Sequence, residues 1–188
     1  DIKIIRVRHH LSHAASVYYN SGFESSNILV MDGQGEQDTI SIYKAKNNKI
    51  DLVSNSSWPN SIGYFYLAST ELLGYKLGDE YKVMGMSAFG KENFLPYIES
   101  CFQINDYGKL NIYENEYINF KPLFGTSHLV FNYTEKFQKK IHKPINNNFQ
   151  QIHFDFAKTI QTITEKVGTE LSNWAYENNN SNILINNK

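Results

Sequence analysis

A single cysteine, Cys101, in 188 residues excludes an internal disulfide and fits a reducing cytoplasm. The nearby acids Glu99 and Asp106 would raise its thiol pKa, so no nucleophilic role is expected of it. Charge of one sign is also missing: 18 Lys plus Arg stand against 19 Asp plus Glu, for a formal net charge of -1. That balance and the lack of a basic stripe exclude a general attraction to nucleic acid or to an anionic membrane. No apolar run approaches the ~18 residues a membrane span requires, and the first residues show no charged-apolar-small leader pattern. A soluble, cytoplasmic chain is the expectation. There is no internal repeat, and the asparagine clusters are loop composition.

What is present centres on Arg8-His9-His10-Leu11-Ser12-His13-Ala14-Ala15-Ser16. On a helix, His9 and His13 share a face, where two imidazole nitrogens can converge on one ion, while His10 points elsewhere. A zinc-peptidase helix of this spacing needs a general-base Glu directly after the first His, and His10 occupies that position. A two-imidazole seat still needs a carboxylate, and Asp32 is the nearest acid on an expected strand end. Two His and one carboxylate with open positions suit Fe(II) or another borderline divalent metal. Spacing alone leaves open that the histidines cap or pack. The following turn, Asp32-Gly33-Gln34-Gly35-Glu36, could seat a phosphate or metal, because glycine lets backbone N–H groups approach closely, or could be an ordinary hairpin turn.

Along the chain, Ile2–Val7 reads as a strand already under way and the His helix breaks at Asn20-Ser21-Gly22. The all-apolar run Ile28–Met31 suits a strand covered on both faces. A turn at Gly33-Gln34-Gly35, the alternating run 39–43, a turn at Asn47-Asn48 and the run 50–54 complete a three-stranded meander. Ile62, Phe65, Tyr66, Ser69 and Leu72-Leu73 mark a core helix closing at Gly74. Gly78-Asp79-Glu80-Tyr81-Lys82 holds two acids and a lysine; Glu80 precedes Lys82 by two, so no Glu-to-Lys helix pair is expected there. Residues 107–113 read as a hairpin and 142–148 as loop. The lone histidines His128 and His142 belong to surface or packing. From Asn148 or Phe149 a long helix carries the stripe Phe156, Ile160, Ile163, Val167, Leu171 and Trp174, followed by a strand at Ile183-Leu184-Ile185. Both ends give the expectation of a piece of a larger protein.

The His9–Ser16 run, Val30–Glu36, Ser61-Ile62-Gly63-Tyr64-Phe65-Tyr66 and Gly78–Met86, in this order, resemble the nodulation-type O-carbamoyltransferase family, which also serves antibiotic biosynthesis. The resemblance implies an α/β fold, part of an actin, Hsp70 and sugar-kinase-like (ribonuclease H-like) domain with a mixed sheet and flanking helices. Residues 1–188 would be part of that N-terminal transferase domain, without the C-terminal synthase-like domain. It implies transfer of a carbamoyl group from carbamoyl-adenylate, made from carbamoyl phosphate and ATP, to a hydroxyl of a sugar, nodulation-factor or antibiotic-like acceptor. His9, His13 and Asp32 would be metal ligands, the metal iron, and a fourth ligand would lie beyond Lys188. Gly33, Gly35 and Glu36 would line the phosphate side, with Asp32, Glu80 and Lys82 in the reaction and the last two near nucleotide or acceptor. Relatives run Met-Gly-Leu-Ala and then Tyr-Gly where this chain has Met84-Gly85-Met86-Ser87-Ala88-Phe89-Gly90. The partner is a small hydroxylated acceptor. An uncovered 156–174 stripe would add a homo-oligomer. The alternatives are the hydrogenase-maturation and tRNA threonylcarbamoyladenosine relatives, or a non-catalytic metal-binding or interaction module.

Overall fold

The computed structural model describes residues 2–146 and 148–179, and the backbone of 184–187. Helix α1 (His9–Ser21) ends at Gly22, whose φ of 74° supplies the left-handed residue that closes a helix without a Cβ clash. Three antiparallel strands follow, β1 (Ser25–Gly35), β2 (Asp38–Lys46) and β3 (Lys49–Ser57). Then come α2 (Ile62–Leu72), α3 (Glu80–Ser87) and the short α4 (Leu95–Ile98). Two hairpins, β4 (Phe102–Ile104) with β5 (Leu110–Ile112) and β6 (Ile118–Pro122) with β7 (Leu129–Tyr133), lead to α5 (Glu135–Ile141). The chain returns through α6 (Gln151–Asn179) to β8 (Leu184–Asn187), which lies parallel to β1.

The main sheet has the order β3-β2-β1-β8, mixed in direction. Its two faces are covered by different partners. Ile28, Val30, Tyr43 and Ala45 pack against Ala14 and Tyr18 of α1. Leu29, Ile40 and Ile42, one pleat over, join the larger core built with α2 and α6. That two-sided cover is why Ile28–Val30 carries no polar residue: in a strand, successive side chains point to opposite faces, and here both are dry.

The α6 stripe is covered too. Phe156, Ile160 and Leu171 are fully buried, Ile163 and Val167 nearly so, and each such side chain contributes about 1.5–3 kcal/mol. Self-association through an open stripe therefore loses its ground. At the start of α6, His153 Nδ1 accepts from Gln150 N at 2.8 Å and its Nε2 donates to the His142 carbonyl at 2.7 Å. Asp155, also buried, accepts from Lys91 N, Asn93 Nδ2 and Gln151 Nε2 at 2.7–2.9 Å, tying the loop after α3 to α6.

Three other expectations change. Residues 2–8 form no strand, and Ile2, Ile4 and Ile5 are exposed. The turn after Asp32 falls at Glu36-Gln37, not at Gly33–Gly35: β1 runs on to Gly35, which pairs with Asp38 across an irregular step. Glu36 carries the positive φ, 52°, which a carboxylate side chain with local hydrogen bonds tolerates better than a branched one would. Burial alone raises the Cys101 thiol, without help from Glu99 or Asp106. Ile183 lies outside the described residues.

Candidate metal centre

Helix α1 divides its histidines between two faces. His10, Ala14 and Tyr18, at steps of four, form its buried stripe against the sheet. His10 is 1% exposed, its Nδ1 lies 2.7 Å from Ser41 Oγ, and burial lowers its pKa, so it is a neutral packing residue. His9 and His13 stand on the neighbouring, wetter face, with ring centroids 4.6 Å apart. Strand β1 brings Asp32 up to them. His9 Nε2 lies 2.7 Å from Asp32 Oδ2 and 3.0 Å from His13 Nε2, and His13 Nε2 lies 3.8 Å from the same oxygen.

The three ligating atoms lie within 4.8 Å of one another. Each can present a lone pair toward the others, so the three converge on one locus. A divalent cation satisfies all three at once, and this donor set fits one. Burial would push the Asp32 carboxyl up, but the His9 ring and the Gly33 N–H, 2.6 Å from Oδ1, outweigh it and hold the pKa below its ordinary value. Asp32 is thus deprotonated and oriented, as a ligand must be.

Backbone approach explains the glycines. A Cβ on Gly35 would overlap His10 Cδ2 and stand 2.7 Å from His10 Nε2 and 2.9 Å from His9 Cδ2. The missing side chain makes room for the histidines. A Cβ on Gly63 would meet Gly33 Cα at 2.5 Å and Gly33 N at 2.7 Å, so the first turn of α2 rests directly on the Asp32-Gly33 backbone. Ser61 fastens this crossing: its Oγ accepts from Tyr64 N at 3.1 Å as the α2 N-cap and donates to the Gly33 carbonyl at 2.8 Å. Glu36 accepts from His9 N with both oxygens, at 3.2 and 3.3 Å. It places a carboxylate at the α1 N-terminus, where no side chain of Arg8 does so.

Glu80 and Lys82 lie elsewhere. The trio of converging donors does not include them, and both stand on the first turn of α3. Lys82 Nζ pairs with Asp79 Oδ1 at 2.7 Å and lies over the rings of Tyr75 and Tyr81. The i, i+3 pair with Asp79 was legible in the spacing and takes the place of any Glu80 contact. Sequence reasoning also left Ser61, Gly63 and Tyr64 without a role at the centre. The Ser before an apolar helical run was the available N-cap signal.

A family profile described as Carbamoyltransferase N-terminus matches residues 2–186, and the chain belongs to that family. An uncharacterized protein of Synechocystis sp. is 30% identical over 171 residues, 90% of this chain and 27% of its own length. Nodulation protein NolNO of Sinorhizobium fredii is 35% identical over 114 residues, 59% of this chain and 16% of that protein. Nodulation protein NolO of Bradyrhizobium diazoefficiens is 40% identical over 86 residues, 45% of this chain and 15% of that protein. The chain thus spans roughly a quarter or less of the length of these relatives.

Proposed function

We propose that the chain is the metal-bearing part of an O-carbamoyltransferase that moves a carbamoyl group from carbamoyl-adenylate, formed from carbamoyl phosphate and ATP, to a hydroxyl of a small acceptor. The convergence of His9, His13 and Asp32 on one locus, in a chain of this family, carries the reading. The sheet order β3-β2-β1-β8, an antiparallel meander with a parallel fourth strand beside the first, supports an actin-like lobe. Those three residues would hold iron(II) or another divalent ion, which when bound supplies positive charge for the adenylate phosphate as it becomes the leaving group.

In the transfer, the acceptor oxygen bonds to the carbamoyl carbon, the bond from that carbon to the phosphate oxygen breaks, and the hydroxyl proton leaves with AMP. Asp32 works as a fixed, ionised ligand and not as the base. Gly33 and Gly35 are assigned to the phosphate side through their backbone, since the room beside Gly35 is taken by the His9 and His10 rings and Gly33 lies against the first turn of α2, while Glu36 serves that side by holding the α1 N-terminus in place. Lys82, kept in position by Asp79, and Glu80 are assigned to nucleotide or acceptor, outside the metal trio. Such a reaction belongs in the cytoplasm, with its ATP.

The test is Asp32→Asn in the full-length enzyme, which keeps the size of the side chain and removes its charge. Loss of carbamoyl transfer with carbamoyl-adenylate formation intact, partly restored by excess Fe(II), is the expected result. Unchanged transfer, or loss of adenylate formation, would overturn the assignment.

A further inference from the structure

The turn that joins β6 to β7 is closely hydrogen-bonded. Leu123 N donates to the His128 carbonyl at 2.8 Å, and the Leu123 carbonyl accepts from Thr126 N and Thr126 Oγ1 at 3.0 and 3.1 Å. Gly125, with a φ of 77°, supplies the left-handed residue in this turn. At its base the His128 ring lies against Trp58, and Trp58 packs in turn on Tyr64 of α2, at centroid distances of 5.6 and 4.7 Å. So fixed, the turn carries Phe124 at its tip with the side chain fully exposed. A single bare ring on a surface means little by itself.

Beside this ring, however, lies a groove of about 430 Å³ between α2 and β7, which Phe124 itself borders. Leu67 and Ala68 form its α2 wall, and Phe131 lies on the hairpin side. Exposed Glu71, Lys121 and Lys143 surround it, and none of the three has an ion-pair partner among the described residues. An aromatic knob and an apolar groove therefore stand side by side on one face. That is the arrangement a two-fold contact between identical surfaces needs, because residue i of one copy meets residue j of the other and the reverse holds too. The charges obey the same operation: Lys121, three residues before Phe124, travels with the hairpin toward Glu71 on the α2 of the second copy.

We propose that this face seats a second copy of the chain, through reciprocal insertion of Phe124 into the groove between α2 and β7 and Lys121–Glu71 pairs across a two-fold axis. The contact is separate from the α6 stripe, which the chain covers itself, and it is independent of the carbamoyl-transfer reading. Two aromatic anchors bury on the order of 300–500 Å². A stable dimer needs about 1,200 Å² or more, so this one is weak and reversible, with a Kd on the order of 100 μM.

Sedimentation equilibrium of the purified chain, from dilute solution up to about 1 mM, tests this without metal, donor or acceptor. Wild type should show a monomer–dimer equilibrium. Phe124→Asp places a charge in the groove and should leave only monomer. Glu71→Lys should weaken the dimer about tenfold by setting like charges opposite each other twice, and Glu71→Lys combined with Lys121→Glu should regain most of that loss. All three side chains are exposed, so the fold is not at stake in these variants. A wild-type chain that stays monomeric throughout, a dimer that Phe124→Asp leaves intact, or a double variant no tighter than Glu71→Lys would overturn the proposal.

Discussion

Replacing Gly35 by alanine adds one methyl group at the most crowded point near the candidate centre. It would overlap His10 Cδ2 and stand 2.7 Å from His10 Nε2 and 2.9 Å from His9 Cδ2. His10 is 1% exposed and held by Ser41, so it cannot swing into solvent, and the strain passes to His9 or to the β1 backbone. Overpacking of this kind costs about 1–3 kcal/mol. Shifting His9 disturbs a ligand, and losses of support around a metal site reduce affinity by about 10–100-fold. Gly33→Ala is the internal control, because its Cβ meets only Tyr64 ring atoms, the nearest at 3.8 Å, an ordinary contact. Urea denaturation and a Co(II) titration followed by its visible absorption read both quantities. Equal stability and equal affinity in Gly35→Ala and wild type would refute the packing argument.

Gly63→Ala forces a methyl onto the Gly33 backbone, which cannot rotate away, so a loss of about 2–3 kcal/mol is expected in the same denaturation assay. Asp155→Ala leaves Lys91 N and Asn93 Nδ2 without their acceptor in a buried place, and a comparable loss of about 2–3 kcal/mol should appear. Burial pushes the Asp155 carboxyl up, but its three hydrogen bonds prevail and leave its pKa below the ordinary 3.8. Its stabilisation is therefore complete above about pH 4 and fades as pH falls through the lower folded value, so wild type but not Asp155→Asn should show this acid-side loss in melts. Tyr133→Phe removes a buried 2.8 Å contact with Ser69 Oγ and should cost about 1 kcal/mol, read from the shift of the thermal midpoint.

Much of this arrangement was legible because it follows from period and spacing. The i, i+4 placement of His9 and His13 needed only a helix, and the all-apolar run at Ile28 announced a strand dry on both faces, as found. The α6 stripe was equally plain. What could not be read is what depends on contact between distant segments. The purpose of Gly35 is invisible until the His10 ring lies against it, and a glycine that serves close packing looks in sequence like one that serves a turn; hence the turn was expected at Gly33–Gly35 and not at Glu36-Gln37. Ile2–Val7 is rich in β-branched residues as a strand is, yet pairing decides a strand and the described residues offer it no partner strand. The β6–β7 hairpin comes from residues with weak periodicity, whose position is set by packing on α2. Glu80 and Lys82 drew notice as charges near a motif, and the fold places them with Asp79 on α3.

The central claim, that His9, His13 and Asp32 form one cation seat while His10 does not take part, is tested most directly by titrating the chain and four single variants with a divalent ion under identical conditions. Wild type should bind one equivalent, His9→Ala, His13→Ala and Asp32→Asn should each bind at least about tenfold more weakly, and His10→Ala should lose stability while retaining the ion, once corrected for its folded fraction. Unchanged affinity in both His9→Ala and His13→Ala, or a loss confined to His10→Ala, would contradict it.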